Sequence, residues 1–534
     1  MLVAHRTGQH ATRARSLLPA VIGVLVVLVA AAALFFLYFL QSRTEAVGSD
    51  GASLELQAWD MLHGNPLLGD WWMSDVSFWP TELGLYSVLL AVHGLSIGVV
   101  HIGGALTYLI VLLLAALTAR AGLRGKAGLV AFALTAAILI SPSLGVGTRI
   151  LLEEPDHFGS AIPVLLTWLV IAGLRRRWYV PVAVAALLTV GVVSDPLILA
   201  SGTAAVAVAA LVAWWRQRGD SPRWYWPSVA LAAVASWPLA QVANALIRAA
   251  GGYTTAQVRT EFAGWNQLAE HLRLFGQGMA TLFGAGFGQG TEGGAGPFWF
   301  AVPHLIGLAL AVSALILALA RPSKWADPVR LGLAAAILLL AVMYVASGYA
   351  VDPLSVREIA AVLPFGAALA GRGLADPALA AWARLRRGGR TLAVSGCAAI
   401  LAVYLGALGY SAAQPAMPAP NAAIATWLAS HQGFSRGLAV DYWVANSVTA
   451  DSGGRATVRE IDIYKMRAVT PSGWGHKGSW YSPTSAYADY VISAYPYRSE
   501  YWWGIIHTFG TPVRTYHVDG FWVLFYGHNL LKSL

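Results

Sequence analysis

The chain has 534 residues, 57% of them hydrophobic and only 11% charged. A soluble globular protein carries about 25% charged residues, so a purely soluble chain is excluded and long uncharged runs point to the bilayer. The formal net charge of +9 does not imply a nucleic-acid partner, because Arg and Lys gather in alternate loops, a pattern that reports membrane topology. The single cysteine, Cys397, lies in an apolar run, which excludes a disulfide framework and a cysteine-based metal site.

In chain order, a basic stretch (Arg6, Arg13, Arg15) precedes the uncharged run from Leu17 to Leu40. That run can cross a bilayer, which needs roughly 20 apolar residues, and it is longer than the core of a signal peptide. An uncleaved first span with a cytoplasmic N-terminus is therefore predicted. Further spans are predicted at 94–119, 128–145, 158–174, 179–194, 198–214, 225–245, 300–320, 330–349, 358–371 and 391–411, making about eleven. The apolar run broken at Ser194-Asp195-Pro196 reads as two spans, since a single one would move the later basic loops outside. Residues 1–411 thus form a transmembrane helical domain with long outer loops at 41–93 and 246–299. In the first loop, Ala52–His63 and Pro80–His93 are predicted helices lying along the interface, with Trp71, Trp72, Phe78 and Trp79 between them.

The character changes after Ala412. Pro415, Pro418 and Pro420 make a linker, Asn421–His431 is a predicted helix, and Gly437–Trp443 and Arg455–Tyr464 alternate as strands do. Thr515–Tyr526 predicts a β-hairpin turning on Asp519-Gly520. The fold class is a multi-spanning α-helical membrane protein with a small extracytoplasmic α/β domain at 412–534.

Chemistry is sought among acids on the outer side. Asp50 follows the first span and is either an N-cap or a functional carboxylate; Glu55, Asp60, Asp70, Asp75 and Glu82 read mostly as solvated loop acids. The second outer loop, Arg149-Ile-Leu-Leu-Glu-Glu-Pro-Asp-His157, sets Glu154, Asp156 and His157 close together. Such a set could hold Mg2+ or Mn2+, orient an acceptor sugar, or simply form a polar turn. Asp195 and Asp352 each precede proline and read as turn starters. Arg357 and Glu358 open the tenth span; a guanidinium there suits a lipid phosphate, with a Glu358 pair or headgroup snorkelling as alternatives. Gly288–Gly293 matches a dinucleotide fingerprint but follows no strand of a βαβ unit, and it is rejected.

The order of these features resembles the GT-C class of membrane glycosyltransferases. The likeness rests on Ser49-Asp50 followed by Leu56-Gln-Ala-Trp-Asp-Met-Leu-His-Gly-Asn-Pro-Leu67, on the acidic second loop, and on Arg357-Glu-Ile-Ala-Ala-Val-Leu-Pro364. It spans roughly residues 1–372. It implies inverting transfer from a polyprenyl-phosphate-linked sugar to a glycan or lipid acceptor, with membrane lipid around the site. Asp50 would be the base, Glu154 or Asp156 the second acid, and Arg357, with Arg149 and His157, would bind the lipid phosphate beside a divalent cation. Gly51 departs from the pattern, where many members carry a second acid. The stretch Gly437–Gly454 also looks like the outer domain of actinobacterial membrane proteins, a likeness that implies a bacterial plasma membrane. An envelope lipid or polysaccharide transporter, and a non-catalytic glycan-binding scaffold, are the competing readings; a transporter would place ions mid-span.

Overall fold

The computed structural model describes residues 4–534 except 154–156, 217–221, 257–260, 288–289, 292–293, 322–324 and 465–467. Every apolar run singled out above falls on a helix. In chain order these and the shorter helices are α1 (Ala4–Ser42), α2 (Ser49–Leu62), α3 (Thr81–His93), α4 (Gly98–Arg120), α5 (Gly125–Leu139), α6 (Ala161–Gly173), α7 (Tyr179–Ser194) and α8 (Ala205–Arg216). They continue with α9 (Tyr225–Ala249), α10 (Leu268–Phe283), α11 (Ala301–Ala320), α12 (Pro328–Ala346), α13 (Val362–Arg384) and α14 (Arg387–Ala412). Among the described residues, 7 helical segments are long and apolar enough to cross a membrane. The pair Pro353–Ile359 and Val362–Arg384, bent by 61° at its break, makes up to 8. Three shorter apolar helices, α5, α6 and α7, pack with them. The chain is thus a multi-pass membrane protein. The run broken at Asp195-Pro196 is two helices, as expected, because α7 stops at Ser194 and a π-helical turn, Leu199–Ala204, leads into α8.

The first long loop departs from expectation. Helix α2 does not lie along a lipid interface: Ser49 and Gly51 through Ala58 are buried inside the protein, between α3, α4 and a helix of the terminal domain. Its polar residues find protein partners there, so Glu55 is 0% exposed and accepts the Ser96 amide at 2.5 Å. Glu82 on α3 is buried too, held by Thr81 and by the Ser194 hydroxyl at 3.2 Å. These two acids are not solvated, which corrects the reading from sequence.

The terminal domain is a six-stranded sheet whose strands lie side by side in the order Arg514–Val518, Phe521–Phe525, Tyr490–Ser493, Arg436–Ala439, Thr457–Tyr464 and Ala468–Pro471. The Tyr490–Ser493, Arg436–Ala439 and Thr457–Tyr464 strands run parallel. Helices α15 (Ala422–Ser430) and α16 (Tyr442–Asp451) cover one face, and α17 (Glu500–Phe509) covers the other. The predicted hairpin forms, with Asp519 and Gly520 at φ 47° and 82°, the left-handed values a two-residue hairpin turn demands. The strand expected to reach Trp443 ends instead at Ala439. Asp441 accepts the Trp443 amide at 3.0 Å and so caps α16.

A second sheet ties this domain to the helical one. Trp71–Met73 of the first long loop pairs parallel with Thr254–Thr255 of the other long loop, and antiparallel with His476–Lys477 of the terminal domain. Beside it, Asp60 at the end of α2 accepts from the Asn65 amide at 2.6 Å, the Trp71 indole at 2.8 Å and the Lys477 ammonium at 3.0 Å. Asp70 receives the Ser479 amide at 2.7 Å. A partly buried carboxylate with three donors is held far more firmly than an exposed ion pair. Asp60→Ala leaves those donors without an acceptor and should cost about 2–4 kcal/mol. The expected result is a lower thermal unfolding midpoint together with faster proteolysis of the Pro415–Pro420 linker; an unchanged cleavage rate would show that the Asp60 cluster does not hold the terminal domain down.

Candidate active site

Asp50 sits in the first turn of α2, but it is not the N-cap. That place belongs to Gly48, whose residue type offers no side-chain bond. The Asp50 carboxylate points instead across to the terminal domain, where the Tyr442 hydroxyl donates to Oδ1 at 2.5 Å. The main chain secures the contact, since Ser49 Oγ donates to the Tyr442 carbonyl. A carboxylate beside Asp50 has no room: a Cβ on Gly51 would lie 2.9 Å from a Val100 methyl. The departure from the family pattern at Gly51 is therefore enforced by packing of α2 on α4.

Arg357 reaches the same place from the bent pair. Asp352 caps the turn Pro353–Ile359, accepting the Ser355 amide at 2.8 Å while Ser355 Oγ accepts the Asp352 amide, so its role as a turn starter holds. The break after Ile359 leaves Arg357 and Glu358 at the open end of the bundle, and irregular backbone at such depth is tolerated where it lines a cavity. Arg357 Nη1 lies 3.5 Å from Asp50 Oδ2 and Nε lies 3.8 Å from Glu358 Oε1. The pairing with Glu358 and the approach to Asp50 thus coexist.

His157 continues the series. Its Nε2 lies 2.9 Å from Glu358 and its Nδ1 2.8 Å from Asp195. Burial works against a charged imidazole, but the two carboxylates outweigh it and hold the histidine protonated, well above its ordinary range. Both ring nitrogens are thus engaged by carboxylates rather than directed at an open ligand position. Among the described residues, no group of three His, Cys, Asp or Glu side chains is placed to hold a metal. Glu154 and Asp156, the other metal candidates, lie outside the described residues. Asp195 still begins a turn, accepting the Leu197 amide at 2.8 Å, yet its other oxygen anchors His157, a role the Asp-Pro pair did not suggest.

The loop 74–80 is laced to the end of α7, with Ser77 Oγ donating to Val193 at 2.8 Å and Phe78 N to Ser194 at 3.0 Å. That lacing brings Asp75 to the site. Burial raises the Asp75 carboxyl, and Glu358 nearby raises it further. Asp50, Asp75, His157, Arg357, Glu358 and Tyr442 line one open cleft, walled on the terminal-domain side by Trp474. Arg149 is not among the lining residues. It begins the π-helical turn Arg149–Glu153, which is pinned by Ser42 Oγ donating to Leu152 at 2.9 Å and by Gly104 of α4, where a Cβ would strike the Leu152 carbonyl at 1.8 Å. Asp75 and Tyr442 escaped the sequence reading; the first looked like a solvated loop acid, and nothing local marked the second as a partner of Asp50.

No family model matches the chain, and no curated protein matches it. Solved structures do. The chain is similar to ArnT from Cupriavidus metallidurans, solved bound to undecaprenyl phosphate, at 15% identity over 94% of this chain and 98% of that one, with a TM-score of 0.54. It also aligns with the Archaeoglobus fulgidus oligosaccharyltransferase tethered to an acceptor peptide, at 14% identity over 87% of this chain and 69% of that one, with a TM-score of 0.48. At such identity the first likeness is one of fold, and the chain has the GT-C type of fold.

The His157 arrangement has a readable consequence. A folded-state pKa above the ordinary 6.5 means its stabilisation is complete below that value and fades only as pH rises through the elevated one. Nitrogen-15 spectra of labelled histidine should show His157 protonated on both nitrogens at neutral pH. Combining Asp195→Asn with Glu358→Gln should return it to the neutral form; a neutral ring in the native protein would refute the assignment.

Proposed function

We propose that the chain is an inverting glycosyltransferase that moves a sugar from a polyprenyl-phosphate donor to a cell-envelope glycan or lipid acceptor. The observation that carries this reading is the meeting of Asp50 and Arg357 in one cleft on a GT-C type of fold. The ArnT structure contains undecaprenyl phosphate, a ligand of the class proposed here as the donor's carrier. The described ions of the site gather at one end of the helical bundle rather than mid-span, which favours transfer at a membrane face over transport through it.

In the proposed reaction the Asp50 carboxylate takes the proton of an acceptor hydroxyl. The freed oxygen pair forms the new bond to the anomeric carbon from the side opposite the donor phosphate. The bond from that carbon to the phosphate oxygen breaks, and its electrons leave on the lipid phosphate. Arg357, a fixed guanidinium able to take two oxygens at once, stabilises the charge developing there. Tyr442 holds Asp50 in position by occupying Oδ1, and Glu358, clamped by His157, positions Arg357. Glu154 and Asp156 remain candidates for the acceptor side. Mg2+ or Mn2+, if held, would rest on those two acids rather than on His157. The charge pattern of the loops supports an N-terminus in the cytoplasm of a bacterium and the cleft and terminal domain outside.

Sugar transfer from a panel of radiolabelled polyprenyl-phosphate sugars in proteoliposomes tests the reading. Asp50→Asn should lower transfer by about 10²–10⁴-fold, the usual weight of a general base, with the unfolding midpoint kept. Tyr442→Phe should cost roughly tenfold, as one lost hydrogen bond to a charged group does. Transfer indifferent to Asp50→Asn would dismiss it as the base.

A further inference from the structure

A second lined cavity lies beside the outer end of the first span. Its walls come from Phe39 and Arg43 at the end of α1, Ile97 and His101 at the start of α4, and Met417 and Ala419 of the linker to the terminal domain. It shares no lining residue with the cleft.

Three features of this lining converge on one kind of ligand. The first is a cation. Basic residues are scarce on this side of the membrane, and Arg273 and Arg357 meet carboxylates there, Glu270 for the first and Asp50 for the second. Arg43 has no carboxylate partner among the described residues, and its guanidinium lies 5.7 Å from the Phe39 ring centroid. That contact uses none of its N–H groups on an acceptor, and five such donors suit a phosphate.

The second feature is an acceptor. His101 is only 8% exposed. The Ser42 hydroxyl gives its one proton to the Leu152 carbonyl at 2.9 Å. The 2.7 Å contact between Ser42 Oγ and His101 Nδ1 therefore takes its hydrogen from the ring. In the neutral imidazole Nε2 is then a bare lone pair, and no described residue donates to it. With Nδ1 engaged, Nε2 is what the ring offers to a ligand in the cavity.

The third feature is the first turn of α4, whose amides present the positive end of a 23-residue helix. The remaining walls are apolar. Phe36, one turn before Phe39, is 56% exposed, so this flank of α1 faces lipid.

We propose that this cavity binds an anionic phosphoglycerol lipid headgroup from the adjoining leaflet, its phosphate on Arg43 and the first turn of α4 and a glycerol hydroxyl donating to His101 Nε2. Basic pockets between membrane helices recognise lipid headgroups. An ammonium headgroup suits this one less, because its charge would stand against Arg43. The Met417 amide donates to the Arg43 carbonyl at 2.7 Å, so the bound lipid would also hold the linker against α1, independently of the chemistry in the cleft.

The test uses the full chain in phosphatidylcholine nanodiscs doped with phosphatidylglycerol or with phosphatidylmethanol, which carries the same charge and no hydroxyl. Retained dopant is counted by native mass spectrometry, and the unfolding midpoint is followed in parallel. Native protein and Arg248→Gln, which removes an exposed arginine at the end of α9, should retain phosphatidylglycerol about tenfold better than phosphatidylmethanol. Arg43→Gln should weaken both lipids roughly tenfold, and His101→Phe should erase the difference between them. Full retention by Arg43→Gln would overturn the proposal, and so would equal losses in Arg43→Gln and Arg248→Gln, which would mean general surface charge. Equal retention of the two lipids by native protein, or tighter retention of phosphatidylethanolamine, would overturn it too. So would a midpoint raised as far by glycerol phosphate in undoped discs, since the ligand would then be a soluble anion. Arg43 is exposed and its substitution leaves no buried group unpaired, so the comparison of Arg43→Gln with Arg248→Gln decides even where His101→Phe fails to fold.

Discussion

Five charges of alternating sign, Asp195, His157, Glu358, Arg357 and Asp50, run in contact from the protein interior to the mouth of the cleft. The inner two are buried, 1% at the Asp195 side chain and 9% at His157, while Glu358, Arg357 and Asp50 are a quarter to a third exposed. A lone buried ion costs several kcal/mol, and a pair regains that only with good geometry and further hydrogen bonds. Each member here is compensated by its neighbours, so none can shift alone. The end of α7, the second outer loop, the bent pair and α2 are thereby held to one geometry, with the Asp50 carboxylate open to the cleft.

The terminal domain belongs to this site. Its sheet reaches back through His476–Lys477 to pair with the first long loop, and its α16 lies on α2. The interface buries further acids: Glu55 is pushed up to about 8 by burial, with the charge of Asp451 adding to the effect, and Asp451 is pushed up to about 7 by burial. Neutral at moderate pH, two such carboxyls can sit together where two carboxylates could not. Tyr442, projecting from the same helix, then closes on Asp50. The cleft is therefore complete only with the terminal domain in place, since Tyr442 and Trp474 line it.

The two ends of the bundle divide the labour of charge. One end holds the compensated series that lines the cleft. The other sets Arg176 over the rings of Tyr225 and Trp226 and forks Arg372 onto Asp327.

Several features were legible along the chain. Helical segments follow from the length of uncharged runs, a property of neighbouring residues. The Asp519-Gly520 hairpin follows from local turn chemistry, and Asp50 and Arg357 stood out by their order relative to the spans. Other features were hidden. Nothing near Glu55 or Glu82 shows that they are buried, nothing near Asp195 shows that it clamps a histidine, and nothing near His157 shows that carboxylates of other segments engage both its ring nitrogens. Tyr442 meets Asp50 across a separation of 392 residues. The sequence by itself determined which runs form long apolar helices, because hydrophobic transfer is summed over contiguous residues. Only the tertiary structure decided which charges meet, because ion pairing depends on distance in space.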